Sequence, residues 1–142
     1  MDFTKLSFPN AYDLIWLGSV FTHMDYERMG ILFDALFDRL NPAGMLIATF
    51  RGHKMYETCL RTPEIAVRDA ELIKEYEATG VAYKKYPGWE DDWGLSLVSP
   101  KKLMALGDRR NCARLVTYSE VAWADAHDVG GWTNVSPNTI IR

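Results

Sequence analysis

Four residues close together, Gly18, Ser19, Thr22 and His23, have the types needed to bind and act on a small ligand. Glycine lets a backbone approach a ligand closely, and hydroxyl groups donate or accept hydrogen bonds. An imidazole has an ordinary pKa of about 6.5, so His23 can accept a proton at neutral pH. The simpler alternative is that Ser19 or Thr22 caps the following helix and that His23 only packs at its start. The sequence leaves both interpretations open.

The elements around this cluster predict a strand, a helix and a second strand. Tyr12–Leu17 is apolar and rich in aromatic and β-branched residues, as strands are. Asp25 is placed to cap a helix whose apolar stripe comprises Met29, Leu32, Phe33, Leu36, Phe37 and Leu40. Asn41–Gly44 ends that helix, and Met45–Phe50 is a second buried strand. Such a unit forms parallel strands, and open α/β sheets bind ligands at the carboxyl ends of their strands.

Composition excludes several classes of protein. The 142 residues suit one ordinary domain, and the net charge of −3 argues against a nucleic-acid surface. No apolar run approaches the roughly 20 residues needed to cross a membrane. The N-terminal residues lack a basic-then-apolar signal, so we expect a cytoplasmic protein. Cys59 and Cys112 are too few for a disulfide framework and are expected to be reduced thiols.

The segment Tyr86–Gly94 is the clearest compositional anomaly. It contains Tyr86, Trp89 and Trp93 among proline, glycine and acidic residues, which indicates a loop. Aromatic side chains in a loop either pack back on the protein or bind a ligand. These three could therefore line a pocket or form a packed loop over the sheet.

The remaining chain predicts further helices and strands. Residues 51–54 are expected to leave the second strand as a loop, and Thr62 with Pro63 begins a helix that Gly80 ends. Leu115, Thr117, Ser119 and Val121 are expected on one face of a later strand. The other predicted elements are an extended piece at 95–98, a helix from Ser99 to about Leu106, a strand at Ala113–Trp123, and weaker strands at His127–Trp132 and Asn138–Ile141.

The blocks Asp2–Pro9, Tyr12–Trp16, Gly18–Met24 and Leu40–Leu46 together resemble a known family. Each block alone is common, but their order and spacing are similar to those of class I S-adenosylmethionine (SAM)-dependent methyltransferases. In that family they are the adenine loop, the fourth strand with its loop, and the turn into the fifth strand. The resemblance is close over the first third of the chain and looser afterwards.

This resemblance implies an α/β fold with a partial Rossmann-like methyltransferase sheet, containing the equivalents of strands 4–7 and flanking helices. It implies a single domain over 1–142, in which 1–50 holds the adenine loop and the βαβ unit. Residues 51–94 would form a substrate-side insertion of helices and loops. Residues 95–142 would supply a helix and the closing strands.

The resemblance also implies the cofactor and its contacts. Asp2 and Phe3 match the adenine-binding pair, although Asp2 could equally be a frayed terminal residue. The methionine end of SAM would lie against Leu17, Gly18, Ser19 and Thr22. The sequence contains no G-x-G-x-x-G cofactor loop, so SAM binding by this chain alone is expected to be weak or absent.

For the methyl acceptor, the resemblance implies a small molecule or a peptide, held by Tyr86, Trp89 and Trp93. His23 could act as a general base, although methyl transfer often needs little beyond positioning. No metal is implied. His127, between Asp125 and Asp128, could suggest a metal site, but structural hydrogen bonding is the favoured interpretation. The competing hypothesis is a non-catalytic module that forms a homodimer or pairs with a partner to cover the exposed sheet edge.

Overall fold

A computed structural model describes residues 10–89 and 92–135. The predictions for Asp2, Phe3 and Asn138–Ile141 lie outside the described residues. The helices are α1 (Tyr26–Phe37), α2 (His53–Arg61), α3 (Pro63–Arg68), α4 (Ala70–Thr79) and α5 (Pro100–Gly107), with a 3-10 turn at Phe21–His23. The strands are β1 (Tyr12–Leu17), β2 (Leu40–Phe50), β3 (Val81–Lys85), β4 (Gly94–Val98), β5 (Ala113–Trp123) and β6 (His127–Asn134).

Four strands form the main sheet in the order β1-β2-β6-β5. β1 and β2 are parallel, which confirms the predicted βαβ unit, whereas β6 is antiparallel to both β2 and β5. The mixed sheet with flanking helices confirms the predicted α/β class. Among the described residues, no helix is long and apolar enough to span a membrane.

Helix α1 begins as its sequence predicts. The Asp25 carboxylate accepts a hydrogen bond from the backbone N–H of Arg28 at 2.9 Å, and this satisfies one of the free donors at the helix start. The stripe is buried from Met29 to Phe37. Leu40 is buried too, but it opens β2 instead of closing the helix, so that part of the prediction is wrong. Asn41–Gly44 forms an irregularity inside β2, where four residues stand opposite one residue of β1.

The core lies between α1, α5 and one face of the sheet. Ile15 and Leu17 of β1 pack against it, whereas the alternate side chains, Leu14 and Trp16, remain 57% and 47% exposed. Trp132 of β6 is fully buried in this core. The other large side chains of this core are those of Phe21, Met24, Met29, Leu32, Phe33, Leu36, Phe37, Leu46, Phe50, Leu103 and Leu106.

Residues 53–98 run from α2 to the end of β4 and include most of the predicted insertion at 51–94; they are called the insertion segment below and differ from the prediction in three ways. α2 begins at His53, where an exit loop was expected. The expected helix from Thr62 to Gly80 is divided into α3 and α4 at Asp69. β3 was not predicted, and it pairs with β4 as an antiparallel hairpin. The helix end at Gly80 is confirmed, because this residue adopts the left-handed conformation, with a φ of 78°, that favours glycine.

β5 and β6 form the closing pair, and α5 has its predicted cap, the Ser99 hydroxyl. The prediction that Leu115 and Thr117 share a face is wrong. Val116 is an extra residue in the ladder, since Leu115 and Thr117 stand opposite consecutive residues of β6. Such a bulge reverses the alternation, so Tyr118 joins Leu115 against the core.

Candidate functional site

The loop after β1 is folded by hydrogen bonds to β2 and within itself. Ser19 has a positive φ of 58°, and its backbone N–H donates to the Thr49 hydroxyl at 2.8 Å. The Ser19 and Thr22 hydroxyl oxygens are 3.2 Å apart. Gly18 lies under the Trp16 indole, where an added Cβ atom would be 2.8 Å from Nε1. The loop is therefore tightly turned at the carboxyl end of the strand.

Thr22 and Ser19 do not cap α1, because Asp25 fills that position. Thr22 is fully buried, and its carbonyl oxygen accepts a hydrogen bond from Arg51 Nη1 at 2.8 Å. Leu17, Gly18 and Ser19 are half-buried. Of the two hydroxyls, that of Ser19 is the one with access to the surface, and Thr22 holds it in place.

His23 ends the 3-10 turn and reaches the insertion segment. Its Nδ1 lies 3.0 Å from the Gly94 carbonyl oxygen and 3.1 Å from the Tyr86 hydroxyl. A carbonyl oxygen only accepts hydrogen bonds, so the bond to Gly94 needs the proton on Nδ1. That tautomer leaves Nε2 with a free lone pair.

The surroundings of His23 favour the neutral ring. Burial is the main cause that lowers its pKa, the hydrogen bond to Gly94 opposes this shift, and the positive charge of Arg51 adds to it. A neutral imidazole is the form that can accept a proton. Arg51 therefore holds the loop through its hydrogen bond to Thr22, and its positive charge favours the neutral form of His23.

The three aromatic residues Tyr86, Trp89 and Trp93, between β3 and β4, lie together beside His23. The ring centroids of Tyr86 and Trp93 are 5.8 and 5.9 Å from that of His23. Trp89 lies against Tyr86, with centroids 6.0 Å apart, and is 59% exposed. The predicted acceptor residues thus form one wall that adjoins the loop after β1.

A second polar group lies at the start of β6. The buried Asp128 carboxylate accepts hydrogen bonds from the Tyr118 hydroxyl at 2.8 Å and from the Val121 N–H at 3.1 Å. Burial and this carboxylate raise the pKa of Tyr118. His127 stacks on Trp123, and burial lowers its pKa, as do the charges of Arg51 and His23. Asp128 therefore makes structural hydrogen bonds, as expected for this group, whereas the buried His127 Nδ1 has no hydrogen-bond partner among the described residues.

Thr49 and Arg51 are site residues that the sequence analysis missed. Thr49 belongs to β2, and Arg51 follows directly after it. The available signal was topological: the carboxyl ends of parallel strands meet at one edge of a sheet, so polar residues ending β2 must lie near Gly18–His23.

No family model matches the chain, and no curated protein sequence matches it either. Solved structures do. A SAM-dependent methyltransferase from Methanosarcina mazei is 13% identical with a TM-score of 0.63, over 95% of this chain and 65% of that one. The N-methyltransferase NodS from Bradyrhizobium japonicum, solved with S-adenosylhomocysteine (SAH), is 14% identical with a TM-score of 0.52, over 96% and 53%.

A third similar structure is the magnesium protoporphyrin IX methyltransferase of Synechocystis with bound SAH, which is 12% identical with a TM-score of 0.56. That match covers 94% of this chain and 49% of the other. At these identities the likeness establishes the fold, which is that of class I SAM-dependent methyltransferases. The chain spans between about half and two thirds of the length of these three structures.

Proposed function

We propose that this chain contributes to a SAM-dependent methyltransferase that acts on a small molecule or a peptide. The observation that carries the proposal is the meeting of the Gly18–His23 loop with the aromatic wall at the carboxyl end of β1. A donor site on the loop would thus face an acceptor site on the wall. Similar structures support this assignment, since two of them were solved with SAH.

The loop residues fit the methionine end of SAM. Gly18 offers backbone without a side chain, and Ser19 offers a hydroxyl at a tightly turned position. Thr22 and Thr49 hold Ser19, and Leu17, whose side chain packs against the core, fixes the end of β1 before the loop. When bound, SAM supplies a methyl group on a positively charged sulfur. Asp2 and Phe3 remain the proposed adenine contacts.

His23 is proposed as the base, with the wall as the positioning element. In the tautomer bound to Gly94, Nε2 can accept a proton from the attacking atom of the acceptor. Tyr86 and Trp93 contact the imidazole and limit its motion, and Trp89 extends the wall toward solvent. With an acceptor bound, the wall would cover one side of the reacting groups and reduce their contact with water.

The name of one similar enzyme supports a small-molecule acceptor. That enzyme is named for magnesium protoporphyrin IX.

Both cysteines of this chain are free, which agrees with a reducing compartment, and we propose a cytoplasmic location.

Ligand-observed saturation-transfer NMR with SAM tests the proposed function. Because the loop after β1 is held in a folded conformation, we expect SAM binding to be weak and not absent, with saturation transferred to the methionine protons. Ser19→Ala should reduce the signal. The matched control Ser119→Ala, at an exposed position of β5, should not reduce it. Equal signals from both variants, or no transfer from the wild-type chain, would contradict the proposal.

A non-catalytic pairing module is the second candidate, and the free edge of β1 favours it. Within residues 10–89 and 92–135, β1 pairs with β2 alone. Leu14 and Trp16 are exposed there, beside a groove of about 220 Å³ lined partly by Tyr12 and Leu36. An open edge with apolar side chains promotes strand pairing between chains. Light scattering after size exclusion should then show a dimer that Leu14→Lys dissociates, and a stable wild-type monomer would contradict this candidate.

A further inference from the structure

A cavity of about 280 Å³ lies beside the aromatic wall, between the β3–β4 hairpin and the junction of α3 with α4. Tyr86, Pro87 and Leu95 form its apolar side. Tyr86 also contacts His23 Nδ1 through its hydroxyl, at 3.1 Å. Tyr86 therefore lies between the cavity and His23, the proposed base.

The opposite side of the cavity carries positive charge. Arg68, Lys84 and Lys85 line it, and the one acidic residue among the described lining residues is Asp69. Lys85 Nζ is 3.2 Å from the exposed carboxylate of Asp92. Arg68 and Lys84 face a single buried carboxylate between them, so the described lining keeps an excess of cations.

Asp69 fixes two of these cations in place. Its carboxylate is 2% exposed, and it accepts a hydrogen bond of 2.7 Å from each of Arg68 Nη2 and Lys84 Nζ. Lys84 Nζ also donates to the Arg68 carbonyl oxygen at 2.7 Å. The hydrogen bond with Arg68 is the main cause that lowers the pKa of Asp69, and the carboxylate stays ionised at neutral pH. Cations held in this way lose little freedom when a ligand binds.

A neighbouring cavity of about 450 Å³ provides the contrast. It shares Arg68, Asp69 and Lys84 but is also lined by Glu71 and Glu75, so its acidic residues offset its cations. Of these two cavities, the smaller one combines a cationic side with an apolar side. That combination suits a compact molecule that carries one negative charge on an apolar body.

We propose that the smaller cavity binds the carboxylate of the methyl acceptor, which is then a small apolar carboxylic acid. The carboxylate pairs with Arg68, Lys84 and Lys85, and the apolar body lies against Tyr86, Pro87 and Leu95. From there the acceptor extends past Tyr86 toward His23. This inference rests on the proposed function, because it specifies the substrate of the same site.

Benzoate and benzamide are suitable probes, since they have nearly the same shape and differ in charge. In ¹H–¹⁵N NMR titrations of the full chain, benzoate should shift the amide signals of Lys84, Tyr86 and Leu95. Because a charge-assisted contact is lost, benzamide should bind at least about tenfold more weakly. The comparison uses the wild-type chain and needs no variant to fold.

The variant Lys85→Met should weaken benzoate binding and leave benzamide unchanged, since Lys85 is exposed and not part of the Asp69 network. Lys74→Met, at an exposed position of α4, is the matched control and should have no effect. Equal affinity for the two probes, shifts elsewhere, no saturable binding, or equal effects of the two variants would each overturn the inference. Neither probe involves SAM, so a chain that binds benzoate but not SAM would contradict the proposed function alone.

Discussion

The βαβ unit, residues 12–50, and the insertion segment, residues 53–98, are held in different ways. The βαβ unit contributes most of the large core, which includes the stacked rings of Phe33 and Phe37. The insertion segment closes a second and much smaller cluster of its own, formed by Leu72, Tyr76, Ala82 and Leu97. The proposed cofactor loop belongs to the first region and the aromatic wall to the second.

This difference indicates that the two regions have different roles in the proposed site. A loop that follows a strongly packed strand keeps a fixed geometry, which suits a group that must orient a cofactor. A segment with a small core opens locally at low free energy, which suits the admission of different acceptors. The contacts of His23 with Tyr86 and Gly94 are the point where the two regions meet.

The largest expected effect is that of Phe33→Ala in the large core. Phe33 is fully buried between Phe37 and Trp132, so its removal leaves a cavity. We expect the free energy of unfolding to fall by about 3–5 kcal/mol, as measured by urea denaturation. A loss below about 1 kcal/mol would show that this core does not carry the stability of the chain.

Leu72→Ala makes the corresponding change in the small cluster. Because Leu72 is buried in the insertion segment, we expect the free energy of local unfolding of that segment to fall by about 2–3 kcal/mol. Hydrogen exchange should therefore accelerate in α4, β3 and β4 while β2 keeps its protection. Equal acceleration in β2 would mean that the two regions unfold as one unit.

Gly52→Ala disturbs the junction between the regions. Gly52 precedes α2, and a Cβ atom there would collide with the Asp128 carboxylate, which anchors Tyr118 and Val121. We expect a loss of about 1–3 kcal/mol in the free energy of unfolding. The double variant with Asp128→Ala should lose less than the sum of the two single losses, because the colliding atoms are gone. Strict additivity would contradict the contact.

The smallest expected effect is a pH dependence of stability. Burial lowers the pKa values of His23 and His127 below 6.5 in the folded chain. The unfolded chain therefore takes up protons first as the pH falls below about 6.5, and these two groups make the folded state less stable there but not above it. Urea denaturation across this range should show the loss, and His23→Gln with His127→Gln should reduce it. An unchanged pH dependence in that double variant would contradict the assignment.

The βαβ unit was predictable because its signals are local. The periodicity of α1, the Asp25 cap and the apolar strands each fall within a few residues of one another. The predicted site residues from Leu17 to His23 follow from the same pattern. The prediction that Leu40 closes α1 was wrong because a buried residue at the end of a helix has the same apolar signal as one that opens a strand.

The insertion segment was less predictable because its structure depends on distant contacts. β3 is short and ends in Lys84 and Lys85, so Val81 and Tyr83 give only a weak strand signal until β4 pairs with it. The contact of His23 with Tyr86 joins residues 63 positions apart, which no local pattern specifies. The Val116 bulge likewise depends on the register with β6.

Mapping of SAH binding by ¹H–¹⁵N NMR tests the central claim most directly. Our account predicts that SAH shifts the amide signals of Gly18, Ser19 and His23, with smaller changes at Tyr86 and Trp93. The affinity should be weak, with a dissociation constant of about 1 mM or above, which corresponds to a binding free energy of about 4 kcal/mol or less. Shifts that avoid the loop after β1, or no saturable shift at all, would contradict the account.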